Sequence, residues 1–197
     1  MQNNKLHFDP EKHIYTYDGA VLPSVTGILE SEGYIDSRFF TEAARIRGTY
    51  VHKACELDDL NDLDIEALDP ALLPYLTAWR EARKALGIPK FNPENIERRI
   101  VSLRYRYAGT LDRLYLDLLA DIKSGAKSPT YSLQTAGYKI GHEEMTGEKI
   151  KRRVSVYLHE DGTFEIDPHK DATDETIFLC ATKQHHWKLA HKIGGSN

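Results

Sequence analysis

The run Leu118-Leu119-Ala120-Asp121-Ile122-Lys123 sets two opposite charges inside an otherwise apolar stretch. Along a strand, side chains alternate between two faces, so Asp121 and Lys123 point one way while Ala120 and Ile122 enter apolar packing. One carboxylate and one ammonium are thereby fixed side by side. Nine residues earlier, Asp112 follows the Ala108-Gly109-Thr110 turn. Two short antiparallel strands over 111–116 and 118–123 would bring it beside Asp121. The link between them contains no Asn-Gly or Gly-Gly pair, so the pairing register is the least constrained part of this arrangement.

Two carboxylates this close repel unless a cation lies between them, and their hard oxygens suit Mg²⁺ or Mn²⁺. A lysine beside such an ion can orient or help deprotonate a water molecule and can neutralise charge developing on a phosphate. The residue types together point to phosphodiester cleavage.

The Asp112 … Asp121-Ile122-Lys123 arrangement resembles the signature of the PD-(D/E)XK nuclease superfamily. Upstream Arg47-Gly48-Thr49-Tyr50-Val51-His52 and downstream Gln134-Thr135-Ala136-Gly137-Tyr138 are similar to motifs of its RecB-like exonuclease branch. The opening Leu22-Pro23-Ser24-Val25-Thr26-Gly27-Ile28-Leu29 resembles the start of phage-type exonucleases and of the mitochondrial genome maintenance exonuclease in that branch. These motifs run in family order over about two thirds of the chain, which is far more specific than any one of them. The resemblance implies that His52, Asp112, Asp121 and the main-chain carbonyl of Ile122 hold one or two Mg²⁺ or Mn²⁺ ions. It implies that Lys123 positions the attacking water, that Gln134 and Tyr138 contact DNA or the catalytic lysine, and that Arg47 binds the substrate. Glu97, near the start of a strand where relatives often carry a glutamate, is a further carboxylate candidate, and Glu56, one turn after His52, is a weaker one.

Composition narrows the partners and the compartment. At 197 residues and 41% hydrophobic content the chain suits a single domain spanning 1–197. No apolar run reaches membrane-spanning length, and the polar start is neither a signal nor a transit peptide, so no membrane partner and a cytoplasmic location are expected. Two cysteines, Cys55 and Cys180, cannot supply the four thiolates of an iron–sulfur cluster. The net charge is −4, yet between Arg98 and Arg153 twelve Lys/Arg face six Asp/Glu, while 54–70 carries seven acids and no base. The basic half holds the proposed site, as a nucleic-acid partner requires.

Periodicity supplies the frame. Residues 6–22 read as a hairpin turning at Asp18-Gly19, and Ser24 caps a short helix. Asp36-Ser37 would cap a longer helix with a core stripe of Phe39, Ala43, Ile46, Tyr50, Ala54 and Leu57, leaving Gly48, His52, Cys55 and Glu56 opposite. Residues 70–87 form a Leu/Trp-striped helix, 96–107 an amphipathic strand ending at Ala108-Gly109, and Ser128-Pro129 opens a helix on which Gln134 and Tyr138 share a face. A hairpin and a final helix, 173–191, follow. Cys180, His185, His186 and His191 lack the spacing of paired zinc knuckles. The expected fold is α/β, a central mixed β-sheet flanked by helices, with a restriction-endonuclease-like αβββαβ core.

The expected activity is a metal-dependent DNA exonuclease of phage or bacterial replication, recombination or repair, working with proteins of those processes. An endonuclease or flap nuclease on the same core, and a catalytically silent DNA-binding module, remain the alternatives. Oligomeric state is not legible.

Overall fold

In the computed structural model, which describes residues 5–36 and 41–193, the Leu118–Lys123 run becomes the middle strand of a five-stranded sheet. The strands stand in chain order: β4 (Ile96–Ser102), β5 (Tyr107–Tyr115), β6 (Leu118–Lys123), β7 (Arg152–Leu158) and β8 (Phe164–Pro168). β6 and β7 are parallel and every other neighbouring pair is antiparallel, so the sheet is mixed. Parallel neighbours need a crossover, and α4 (Tyr131–Thr146) supplies it.

Alternation along the strands feeds two cores. Ala120, Ile122, Val154 and Val156 pack with Val51 and Cys55 of α2 (Glu42–Leu60) and with Ala78, Trp79 and Ala82 of α3 (Leu73–Ala85). Leu111 and Leu119 pack instead with α1 (Val25–Ser31), with Leu133 and Ala136 of α4, and with Phe178 of α5 (Asp174–Ala190). Helices thus cover both faces, which is why β6 is buried almost throughout. Gly137 lets α4 close on α5: a Cβ there would stand 2.7 Å from the Phe178 ring.

A second, three-stranded sheet, β1 (Leu6–Asp9), β2 (Ile14–Tyr17) and β3 (Ala20–Leu22), abuts the first. Asp18 and Gly19 both take positive φ, as a two-residue hairpin turn with an Asp-Gly sequence should. Leu6, Tyr15 and Leu22 share a cluster with Val101 and Ala108, and the Ala108 N–H donates to the Pro23 carbonyl at 3.0 Å. Ser24 caps α1 by accepting from Gly27 N–H at 2.9 Å.

Several boundaries differ from the sequence reading. The turn after β4 falls at 103–106, with Arg106 at φ 57, rather than at Ala108-Gly109, so β5 starts at Tyr107. β5 and β6 join through Leu116-Asp117, with Leu116 at φ 53. A leucine there is unfavourable in isolation. Long-range bonds hold the turn in place, since the Asp117 carbonyl accepts from Lys151 and Arg152 N–H at 2.9 and 3.0 Å. α2 is capped by Thr41, which accepts from Ala44 N–H, and the predicted Ser37 and Phe39 lie outside the described residues. Its buried face is Val51, Ala54, Cys55 and Asp59, whereas Ile46 and Tyr50 are 50% and 60% exposed. The first two turns of that helix bury nothing, so their apolar spacing was misleading. Cys55 consequently belongs to the core and not to the His52 side. α4 begins at Tyr131, after Thr130, rather than at Ser128-Pro129. No helix among the described residues is long and apolar enough to cross a membrane.

Candidate active site

Three neighbouring strands deliver three carboxylates to one level of the sheet. Glu97 falls between the pairs Ile96/Arg113 and Arg98/Leu111, which sets it across from Asp112. The β5–β6 register, Arg113 against Ala120, sets Asp112 across from Asp121 in turn. Residues opposed across a ladder share a face. The ladder itself changes here, because the Ile122 N–H donates to Asp112 Oδ2 at 2.6 Å instead of to a backbone carbonyl. A side chain thereby satisfies a buried amide, and backbone pairing need not continue beyond this level. Glu97 is held at φ 47, a conformation that costs a glutamate about 1–2 kcal/mol and collects at functional sites.

From α2, His52 reaches the same place, its Nδ1 3.6 Å from Asp112 Oδ2. One ligand atom from each of His52, Glu97 and Asp112 lies within 4.8 Å of the other two, and no other such trio of His, Cys, Asp or Glu occurs among the described residues. Burial lowers the His52 pKa, against the opposing pull of the Asp112 charge. The imidazole is therefore neutral near pH 7 and keeps a lone pair to offer. Burial, then the Asp112 charge, pushes Glu97 up to about 8 despite Arg113. Two crowded carboxylates and one neutral imidazole are a donor set that fits a divalent cation of the Mg²⁺ or Mn²⁺ kind.

Beside this trio stands a second group. Lys123 Nζ lies 2.7 Å from Asp121 Oδ2 and donates to Gln134 Oε1 at 2.9 Å. The Gln134 amide in turn donates to the Tyr138 hydroxyl at 2.9 Å and to Thr26 Oγ1 at 3.2 Å. Gln134 and Tyr138 are one helical turn apart on α4, and Gly109 makes room for the tyrosine, since a Cβ there would stand 2.9 Å from its ring. The Lys123 ammonium also sits 4.4 Å from the Tyr131 ring centre. Burial pulls the Lys123 pKa down, but Asp121 and Asp112 outweigh it and the value rises above that of an ordinary lysine. Burial raises Asp121 to about 7, with Lys123 opposing and Asp112 adding to the rise.

The same fold has been solved before. A crystal structure from Eubacterium rectale, described as a "putative exonuclease", superposes with a TM-score of 0.56 at 12% identity, over 84% of this chain and 72% of that one. At that identity the likeness is one of fold. No family description and no curated protein matches the chain.

The remaining predicted residues fall as follows. Asp121 stands outside the tight trio and is committed to Lys123, while Glu97, a marginal candidate by sequence, is inside it. Glu56 pairs with Lys53 at 2.9 Å, although its charge is felt at Glu97. Arg47 lines a cleft with His52, Lys123 and Ser124. Sequence reasoning missed Arg113 and Asp59. Arg113 is fully buried and donates to Glu97 Oε1 at 2.9 Å, to Asp59 Oδ2 at 2.6 Å and to its neighbour's carbonyl, that of Asp112, at 2.7 Å. It holds Glu97 from behind. An arginine in a strand of otherwise buried residues was the available signal.

Proposed function

We propose that this protein is a metal-dependent deoxyribonuclease of the PD-(D/E)XK superfamily, RecB-like branch, acting as an exonuclease on DNA ends. The observation that carries the reading is the convergence of His52, Glu97 and Asp112 with the Asp121–Lys123 pair alongside. These side chains come from three strands and a helix, and apolar packing alone gives no reason to gather them. The fold likeness to a protein described as an exonuclease supports the same class.

His52 Nδ1, Glu97 and Asp112 would hold the divalent ion, with Asp121 and the Ile122 carbonyl completing the ligand set implied by the family pattern. When bound, such an ion polarises the phosphate and makes water a better nucleophile near neutral pH. Lys123 remains an ammonium, so it orients the attacking water and offsets charge on the phosphate rather than removing a proton. Asp121 and Gln134 fix where that ammonium points, and Tyr138 with Thr26 fixes Gln134. Arg47, which lines a cleft with His52 and Lys123, would contact the DNA strand.

The substrate is DNA, the setting is replication, recombination or repair in the cytoplasm, and the chain works as one domain. Incubation of the purified protein with 5′- and 3′-labelled linear duplexes and single strands, with and without Mg²⁺ or Mn²⁺, tests this directly. Metal-dependent shortening from ends, with circular single strands left intact, is expected. Cutting of circles would move the assignment to an endonuclease, and no cleavage with any metal would remove it.

A further inference from the structure

Each of the three carboxylates at the candidate site has one oxygen engaged by a donor of the protein itself. The Ile122 N–H donates to Asp112 Oδ2 at 2.6 Å, Lys123 Nζ lies 2.7 Å from Asp121 Oδ2, and Arg113 Nη1 donates to Glu97 Oε1 at 2.9 Å. A carboxylate has two oxygens, so each of the three is left with one to offer an ion.

The engagement of Glu97 is the most firmly built. Arg113 follows Asp112 in β5, so its side chain leaves on the opposite face, and it is fully buried. Its Nε donates to Asp59 Oδ2 at 2.6 Å, and its Nη1 also donates to the Asp112 carbonyl at 2.7 Å. Asp59 is in turn fixed between α2 and α3. Both its oxygens accept from the Trp79 indole N–H, at 3.1 and 3.0 Å, and Oδ1 accepts from Arg83 Nη1 at 2.6 Å. The Arg113 guanidinium stands 5.8 Å from the Trp79 ring centre. Swinging it away from Glu97 would leave buried charge uncompensated.

We infer that Arg113 is a positioning residue that sets which ion the site accepts. By holding Glu97 Oε1 it confines Glu97 to one ligand oxygen, and so disfavours ions that chelate a carboxylate through both. Mg²⁺ demands octahedral geometry, keeps several waters and is satisfied by single carboxylate oxygens. Ca²⁺ is larger, gathers about six to eight oxygens and readily takes both from one carboxylate. A guanidinium charge on the second oxygen also repels a cation that approaches it. The inference rests on the nuclease reading and adds to it a determinant of metal choice that lies outside the ligand set.

The test is a competition of Ca²⁺ against Mn²⁺ on the metal-free protein, without DNA, read by electron paramagnetic resonance of the free Mn²⁺. The His52 nitrogen favours Mn²⁺ over Ca²⁺ whatever Glu97 does, so the quantity compared between proteins is the ratio of the two dissociation constants. In Arg113→Met, Mn²⁺ binding should weaken while Ca²⁺ binding holds or tightens, narrowing that ratio by about tenfold. Arg113→Met combined with Asp59→Asn removes both buried charges and leaves Trp79 an acceptor. It should show the same narrowing, and it serves if the single variant unfolds, as circular dichroism will tell. A merely structural role would weaken both ions in parallel. A ratio unchanged in a folded variant therefore overturns the inference and leaves the nuclease reading standing. Infrared spectra of the wild-type protein with Ca²⁺ need no variant: carboxylate stretches split as for one-oxygen ligation are expected, and a two-oxygen splitting overturns the inference. A wild-type protein that binds no Mn²⁺ overturns the nuclease reading and the inference with it.

Discussion

Asp112 Oδ2 is asked to do two things, to accept from the Ile122 amide and to face His52. Asp112→Asn keeps an acceptor for that amide but removes the charge. We expect it to lower cleavage by at least about 10²- to 10³-fold in a steady-state assay while the thermal melt stays close to wild type. The pH dependence of the metal-free protein has a definite sign. Glu97 and Asp121 are raised by burial in the fold, to about 8 and about 7. The folded state therefore binds protons that the unfolded chain, with ordinary carboxylates, has already released. Metal-free stability should fall as pH rises from about 5 to 8. Thermal melts in EDTA across that window check this, and Glu97→Gln should flatten the slope, as should added Mn²⁺ by displacing the protons. A slope indifferent to both would sink the assignment. At this scale the side-by-side placement of Asp121 and Lys123 was legible, because residues two apart on a strand share a face, whereas that of Asp112 hung on a strand register with no local turn signal. It undervalued Glu97, whose place depends on a register with β5 fifteen residues away.

Among the elements, β5 carries the most. It presents Asp112 to the site and, from the next residue, sends Arg113 into the interior, where Asp59, Glu97 and the Trp79 ring surround the guanidinium. Removing one partner of a buried ion pair leaves the other without compensation. Arg113→Met should therefore cost about 3–5 kcal/mol in urea unfolding, and it should loosen Mn²⁺ binding because Glu97 loses its anchor. An unchanged midpoint would show that Asp59 is sufficiently held by Trp79 and Arg83. The β2–β3 and β7–β8 hairpins, α3 and the turn at Asp18-Gly19 were readable from alternation and turn chemistry, whereas β1 was not, since residues 6–22 read as a single hairpin and not as three strands. The end of β4 was not, since the alternation of Leu103 and Tyr105 continues past the point where the chain turns. The Leu116-Asp117 turn was equally hidden, because contacts from Lys151 and Arg152 hold it and no local signal does.

For the whole molecule, the two sheets are joined through Val101, Ala108 and the Pro23–Ala108 bond, and one wall of the candidate site comes from each. A single cooperative urea transition is expected, with fluorescence and circular dichroism coinciding. Separate transitions would mean that the N-terminal sheet folds on its own. The mixed α/β plan was legible because apolar runs and helical stripes alternate along the chain. The union of the N-terminal hairpin with the site was not, because nothing local in Phe8, His13 or Tyr15 says what lies opposite. Since the Ile122 amide leans on a carboxylate and not on a neighbouring carbonyl, the backbone at the centre of the sheet is wired to the cleft. A cation held at Asp112 would draw electron density from the carboxylate, and the Ile122 amide resonance should shift with it.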